Sequence, residues 1–170
     1  MKTYQEFMLE CSQLDESGLS RIKSKSDKGG VAILSGSRGD KSSKENKARA
    51  KQLDRDIKGK GLPGATKVSG RWDEKDKKTG ETKKVKERSH VVTSGKMGKR
   101  KFSDTIKKLG KKYDQDAVLI QKKKTGTFSA TRKGGLDKEK RVRAGTMKPG
   151  RTSAQGDTKI KGRTFTYDRE

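Results

Sequence analysis

The stretch from Val31 to Ile57 constrains this chain more than any other, because three local signals agree on it. Val31-Ala32-Ile33-Leu34 is the longest unbroken apolar run and has the length of a buried strand. It stops at Ser35-Gly36-Ser37-Arg38-Gly39-Asp40, a small, polar, Gly-rich loop. Ser42 with Glu45 three residues on then makes a capping box, in which a hydroxyl and a carboxylate satisfy orphan N–H groups at a helix start. Ala50, Leu53 and Ile57 fall on one helical face with Lys and Arg on the others. Gly59, Gly61 and Pro63 end the helix. Strand, Gly-rich loop and helix form the nucleus to which the remaining segments are added.

Composition limits how much can be added. Only 25% of the 170 residues are apolar and 40% are charged, too little to bury a core in proportion to length. The expectation is one small folded unit over residues 30–122, preceded by a linker over 11–29 and followed by a basic Gly/Lys/Arg-rich tail over 123–170. Lys and Arg number 46 against 22 Asp and Glu, a net charge of +24. Such an excess repels itself in a compact state and points to a polyanionic partner, nucleic acid first. Cys11 is the single cysteine, so no internal disulfide forms. With His90 the only histidine, no metal-ligand cluster and no cofactor is expected. No run of eighteen apolar residues exists and the N-terminus lacks a secretory h-region, so an intracellular or particle-borne protein without a membrane span is expected.

Beyond Pro63 the period changes. Thr66, Val68, Gly70 and Trp72 alternate with Lys67, Ser69 and Arg71, and a second alternating run goes from Val85 to Ser94. The two should pair as an antiparallel hairpin turning at Gly80, with Trp72 covering the sheet face. After the basic loop Gly95 to Lys101, Phe102, Ile106, Leu109 and Tyr113 recur at helical spacing, with Ser103 as N-cap and Asp104 in the first turn. Gln115-Asp116 turns the chain into the apolar run Ala117 to Ile120. The order strand, helix, strand, strand, helix, strand predicts an α+β, ferredoxin-like fold, a split β-α-β unit with two helices on one face of four strands. Thr127 to Arg132 reads as a short extra strand, and Lys159 to Tyr167 as a terminal hairpin docking back on the sheet.

Several residues invite a chemical reading. The loop into Lys41-Ser42 is not a phosphate-binding P-loop, because Asp40 stands where that motif needs glycine. Arg38-Gly39-Asp40 spells an integrin tripeptide by coincidence. What remains is an anion-binding surface of Ser37, Arg38 and Lys41 ahead of a helix N-terminus. Asn46 shares the face of Ala50 and Leu53 toward the sheet, with Arg49 beside it, so these residues either mark a polar site with Ser37 and His90 or Asn46 simply holds the loop's shape. His90 has no evident carboxylate or nucleophile beside it in sequence. For non-specific contact with a phosphate backbone the candidates are Arg38, Lys41, Lys99, Arg100, Lys101, Lys107, Lys108, Lys111, Lys122, Lys123, Lys124, Arg132, Lys133, Arg141, Arg143, Arg151, Lys161 and Arg163.

Two resemblances add to this. Met1-Lys2-Thr3-Tyr4-Gln5-Glu6-Phe7, two apolar residues and Glu10 resemble the capsid-targeting leader of internal head proteins of T-even-type phages. The resemblance implies entry into the prohead core and trimming by the maturation protease between Glu10 and Cys11, with Met8 and Glu10 recognised. Leu14-Asp15-Glu16 offers a second cleavage motif, cut before Ser17. Separately, Ser42, Glu45, Asn46, Arg49 and Leu53, followed later by Gln115-Asp116-Ala117-Val118, look like an uncharacterised bacterial domain over residues 31–122. That family implies a fold unit and no reaction. Three functions follow as expectations. The first is a virion-internal basic protein, packaged in the phage head with DNA and ejected with it into the host cytoplasm. The second is a small enzyme with its site at the Gly-rich loop. The third is a structural head or neck component. The weight of charge and leader favours the first and leans against an enzyme.

Overall fold

The computed structural model describes residues 19–28, 30–75, 79–133, 136, 139–150, 156–160 and 163–168. Among the described residues, eight antiparallel strands and three helices make up the regular structure. In chain order they are α1 (Leu19–Lys28), β1 (Val31–Ser35), α2 (Ser43–Gly59), β2 (Thr66–Lys75), β3 (Thr82–Thr93), α3 (Lys99–Lys112), β4 (Ala117–Lys122), β5 (Thr125–Ala130), β6 (Arg141–Pro149), β7 (Gly156–Ile160) and β8 (Arg163–Asp168). The sheet curls until it closes on itself in the order β1-β3-β2-β7-β8-β6-β5-β4. Closure rests on β1, which pairs with β3 through Val31↔Thr93 to Ser35↔Ser89 and with β4 through Val31↔Gln121 to Ile33↔Leu119.

Alternation along the strands sends side chains to two separate cores. Ala32, Leu34, Val92, Val118 and Ile120 face outward and meet Leu53 and Ile57 of α2 and Phe102, Ile106 and Leu109 of α3. Val31, Ile33, Val68, Val91 and Leu119 face inward, where Ala144, Met147 and Phe165 join them. Burying each such side chain contributes about 1.5–3 kcal/mol. Both sets are needed, because a strand with Val and Leu on both faces leaves one bare unless the sheet is covered twice.

That requirement corrects the ferredoxin-like expectation. β1 to β4 carry helices on one face, but a four-stranded unit would leave Val31, Ile33, Val91 and Leu119 in water. The chain covers them with β5 to β8 and becomes a barrel instead. The four later strands lie in the stretch read as a basic tail. The expected strand at Thr127 to Arg132 and terminal hairpin at Lys159 to Tyr167 are present as β5 and β7–β8, whereas in β6 Ala144 and Met147 stand among Arg, Gly, Thr and Lys and did not mark a strand.

Smaller differences have local causes. The capping box forms, with the Ser42 hydroxyl accepting from the Glu45 N–H and the Glu45 carboxylate from the Ser42 N–H. α3 starts five residues earlier than expected: Gly98 is its N-cap, and Ser103 is a buried position on the helix. Lys99, Arg100 and Lys101 are good helix formers and extend the first turn. The stretch read as a linker holds α1, whose Ile22 is buried in the inner core. The leader with its cleavage sites at Glu10–Cys11 and Glu16–Ser17, the side chain of Trp72, Arg151, Lys161 and the side chain of Arg163 lie outside the described residues.

At the end of the barrel where β1 begins, side chains close the interior. The Tyr167 hydroxyl donates to Gln121 Oε1 at 2.6 Å, and Gln121 Nε2 donates to the Lys123 carbonyl at 3.2 Å. Gly126 makes room for the tyrosine, since a Cβ there would stand 2.8 Å from Tyr167 Cε1.

Candidate active site

The other end of the barrel, where β1 leaves the sheet, is open. Here the loop after β1, the start of α2, the outer part of β3, the turn between α3 and β4, and the segment after β5 surround a cleft of about 1240 Å³. Its floor is apolar: Ile33, Leu119 and Phe128 from the barrel interior, with Ala117 and Leu136 beside them. Its rim is polar and charged, with Ser37, Arg38, Asp40, Lys41, Asn46, Glu87, Arg88, Asp114, Asp116 and Arg132. An apolar floor with a few fixed polar groups at a barrel mouth is the usual form of a small-molecule site.

Ser35 has no partner on the β4 side and Gly36 to Arg38 have left the β-ladder, so their backbone groups need other partners. Side chains supply them. Gln115 accepts from the Ser35 N–H at 3.2 Å and donates to the Ser37 carbonyl at 3.2 Å. Asn46 accepts from the Arg38 N–H at 2.9 Å and donates to the carbonyls of Arg38 at 3.0 Å and Lys41 at 3.3 Å. The Ser35 hydroxyl accepts from the Ser37 N–H at 3.0 Å and donates to the Arg88 carbonyl at 2.7 Å. Gly36 lets the loop lie against α2: a Cβ would stand 3.1 Å from the Arg49 carbonyl oxygen.

Arg49 ties the two walls together. Its Nε donates to the Gly36 carbonyl and its Nη2 to the Tyr113 carbonyl, both at 2.6 Å, while the guanidinium lies 5.5 Å from the Tyr113 ring centre. The Tyr113 hydroxyl in turn donates to Asp56 at 2.6 Å. Burial and the Asp56 carboxylate push this phenol upward. Lys112 and the tyrosine hydroxyl hold Asp56 below the ordinary carboxylate range.

Arg38 is fixed from two sides, with Nε donating to Asp40 at 2.8 Å and Nη1 to the Asp114 carbonyl at 2.9 Å. The hydrogen bond to Asp40 raises the arginine and lowers the carboxylate. Asp114 adopts a left-handed backbone at φ 53°, which turns its carbonyl to this arginine. Arg132 pairs with Asp116 across the turn.

The structure therefore brings Ser37, Arg38, Lys41, Asn46 and Arg132 to one cleft and leaves the other expected residues elsewhere. Asn46 holds the loop's shape, and Arg49 sits behind the walls and outside the lining. His90 faces the opposite way, into the layer between β3 and α2. It is 1% exposed, and its Nε2 lies 3.1 Å from Asp54 Oδ1. Neither ring nitrogen is aligned for a hydrogen bond, and burial pushes the imidazole down despite the nearby carboxylate. The other basic candidates are scattered: Lys99, Arg100, Lys101, Lys107, Lys108 and Lys111 on α3, Lys122, Lys123 and Lys124 where β4 turns into β5, Lys133 beyond β5, and Arg141 and Arg143 on β6. Among the described residues no group of His, Cys, Asp and Glu could hold a metal ion, and no helix is long and apolar enough to cross a membrane. Sequence reasoning missed Glu87, Arg88, Asp114 and Phe128, which only barrel closure brings together. Gln115 and Asp116 do carry a signal in the sequence, the motif Gln115-Asp116-Ala117-Val118.

A family model described as the S-adenosylmethionine lyase family matches residues 32–170. The chain belongs to that family. No curated protein matches it. Membership points to an enzyme and overturns two expectations, that of a DNA-binding protein inside a phage head and the leaning against catalysis. Net charge misled here, because it reports a partner class and carries no information about a cleft that forms only on folding. The alternative of a small enzyme with its site at the Gly-rich loop fits the family better. The matched span begins at residue 32 and so leaves the leader aside.

Proposed function

We propose that this chain cleaves S-adenosylmethionine at a carbon–sulfur bond in the barrel-mouth cleft, without water as a reactant. The observation that supports this most directly is overlap. Every residue lining the cleft, from Ile33 to Leu136, lies inside the span matched by the lyase family.

The chemistry suits such a cleft. The substrate's sulfur is a sulfonium cation, so it departs as a neutral thioether once the bond to the amino-acid side chain breaks and sulfur keeps the electron pair. The carbon left behind must gain a bond. Either a base removes the neighbouring proton and a double bond forms, or the substrate's own carboxylate closes a ring. Both routes release 5′-methylthioadenosine, and the second neutralises two opposite charges. Neutralisation is favoured where water is displaced, and Ile33, Leu119 and Phe128 provide that floor. Arg38 is a donor already oriented by Asp40 and the Asp114 carbonyl, suited to holding the carboxylate. Phe128 presents an aromatic ring, and Glu87 and Asp114 present carboxylates, groups that attract a sulfonium.

The test is incubation of the full chain with S-adenosylmethionine, with products separated by chromatography. Stoichiometric 5′-methylthioadenosine with no early uptake of oxygen from isotopically labelled water is the expected result. Intact substrate overturns the proposal, and so does S-adenosylhomocysteine, which would mark methyl transfer.

A further inference from the structure

The charge on the cleft exceeds what the proposed substrate uses. S-Adenosylmethionine brings two positive groups and one negative. Yet the lining carries six basic side chains against four acidic ones. Asp40 is engaged by Arg38, Asp116 by Arg132, and Glu87 has a partner as well. Lys41, Lys47, Lys86 and Arg88 have no ion-pair partner among the described residues. They come from three separate elements: the loop after β1, α2 and β3. The N-terminus of α2 adds to them, since Ser43 lines the cleft and the only acid of its first turn, Glu45, is turned back onto the Ser42 N–H. The loop between is held rigid by Gln115, Asn46 and Arg49, so its cations surround a preformed space.

We infer that the cleft also takes an adenine nucleoside polyphosphate, which competes with S-adenosylmethionine. The adenosine half is common to both molecules, and that half of the argument rests on the lyase reading. The phosphates occupy the rim, where Lys41, Lys47, Lys86 and Arg88 meet the start of α2. No P-loop is involved, and no bond is broken. The consequence is regulation: an abundant anionic nucleotide holds the site until a cationic substrate displaces it.

The experiment is calorimetric titration of the full chain with ATP, adenosine and tripolyphosphate in parallel, then ATP again with 5′-methylthioadenosine present. One ATP per chain is expected, displaced by 5′-methylthioadenosine and weakened about tenfold or more as salt rises from about 50 mM to about 250 mM. A Lys41→Ala, Arg88→Ala double variant should lower ATP affinity about tenfold. A Lys101→Ala, Lys108→Ala variant, with the same loss of charge on the outer side of α3, should not. Equal loss in both variants overturns the inference, because the overall field of a +24 protein would then explain the binding. Several ATP molecules per chain, no displacement by 5′-methylthioadenosine, or tripolyphosphate binding as tightly as ATP each overturn it as well. A chain that binds one ATP in this way yet leaves S-adenosylmethionine intact keeps the inference and loses the lyase reading.

Discussion

Where β1 begins, side chains close over one another. Where it leaves the sheet, side chains hold backbone instead and leave a space. Ile22, Met147, Phe165 and Tyr167 fill the first end, with the hydroxyl of Tyr167 taken up by Gln121. At the second end Gln115, Asn46 and Arg49 spend their polar atoms on the carbonyls and N–H groups of the loop. One end is optimised for packing and the other for shape. The difference predicts a division of labour, in which damage to the closed end costs stability and damage to the open end costs turnover.

The largest effect should come from Phe165→Ala, which empties the inner core. It is expected to lose about 3–5 kcal/mol in urea unfolding. A loss under 1 kcal/mol would break the comparison at its stable end. Next, Arg49→Ala frees both walls of the cleft. We expect about a hundredfold drop in kcat/KM for S-adenosylmethionine, because small misplacements of a site are costly. Arg49→Lys should recover little of it, since one ammonium cannot span the Gly36 and Tyr113 carbonyls as the planar guanidinium does. A variant that melts early yet turns over normally would reverse the roles of the two ends.

Protonation gives a third, smaller effect. His90 is held neutral by burial, so its folded pKa lies below the unfolded one. Its contribution is then fully present above the unfolded value near 6.5 and is lost as pH falls toward the folded value. Stability should decline by at most about 1.4 kcal/mol per pH unit in that window. A His90→Leu variant should flatten the slope there and leave the lower-pH loss from Asp56 in place. An unchanged slope would show that the imidazole is not the group responsible. The smallest effect concerns salt. A net positive cleft repels a cationic substrate, so kcat/KM should rise about two- to threefold on screening. A fall would mean that the acids Glu87 and Asp114 dominate the approach.

How much of this was legible in the sequence depended on range. The nucleus from Val31 to Ile57 was readable because its signals are local: an apolar run, a capping box, one helical stripe. The hairpin of β2 and β3 and the stripe of α3 were readable for the same reason. β5 and the β7–β8 hairpin were readable as short strands, but β6 and the closure of all four into a barrel were not, because each has few apolar residues and gains its core only from strands far away in sequence. The cleft shared that fate. Ser37, Arg38 and Asn46 were visible as a loop with its helix, whereas Glu87, Phe128 and Asp114 had no local mark. Charge, the loudest signal in the chain, was the least informative about the reaction.

Closure of the sheet by its last strands also bears on synthesis. Ser69 of β2 finds its partner Lys159 of β7 late, and β8 must arrive before β6 has a neighbour on its second side. Such long-range pairing folds slowly and raises contact order. A ribosome that has released everything up to β6 still holds a trough with its greasy lining exposed to chaperones and proteases. Premature termination anywhere upstream of β7 should therefore yield degraded or aggregated polypeptide rather than a weak catalyst.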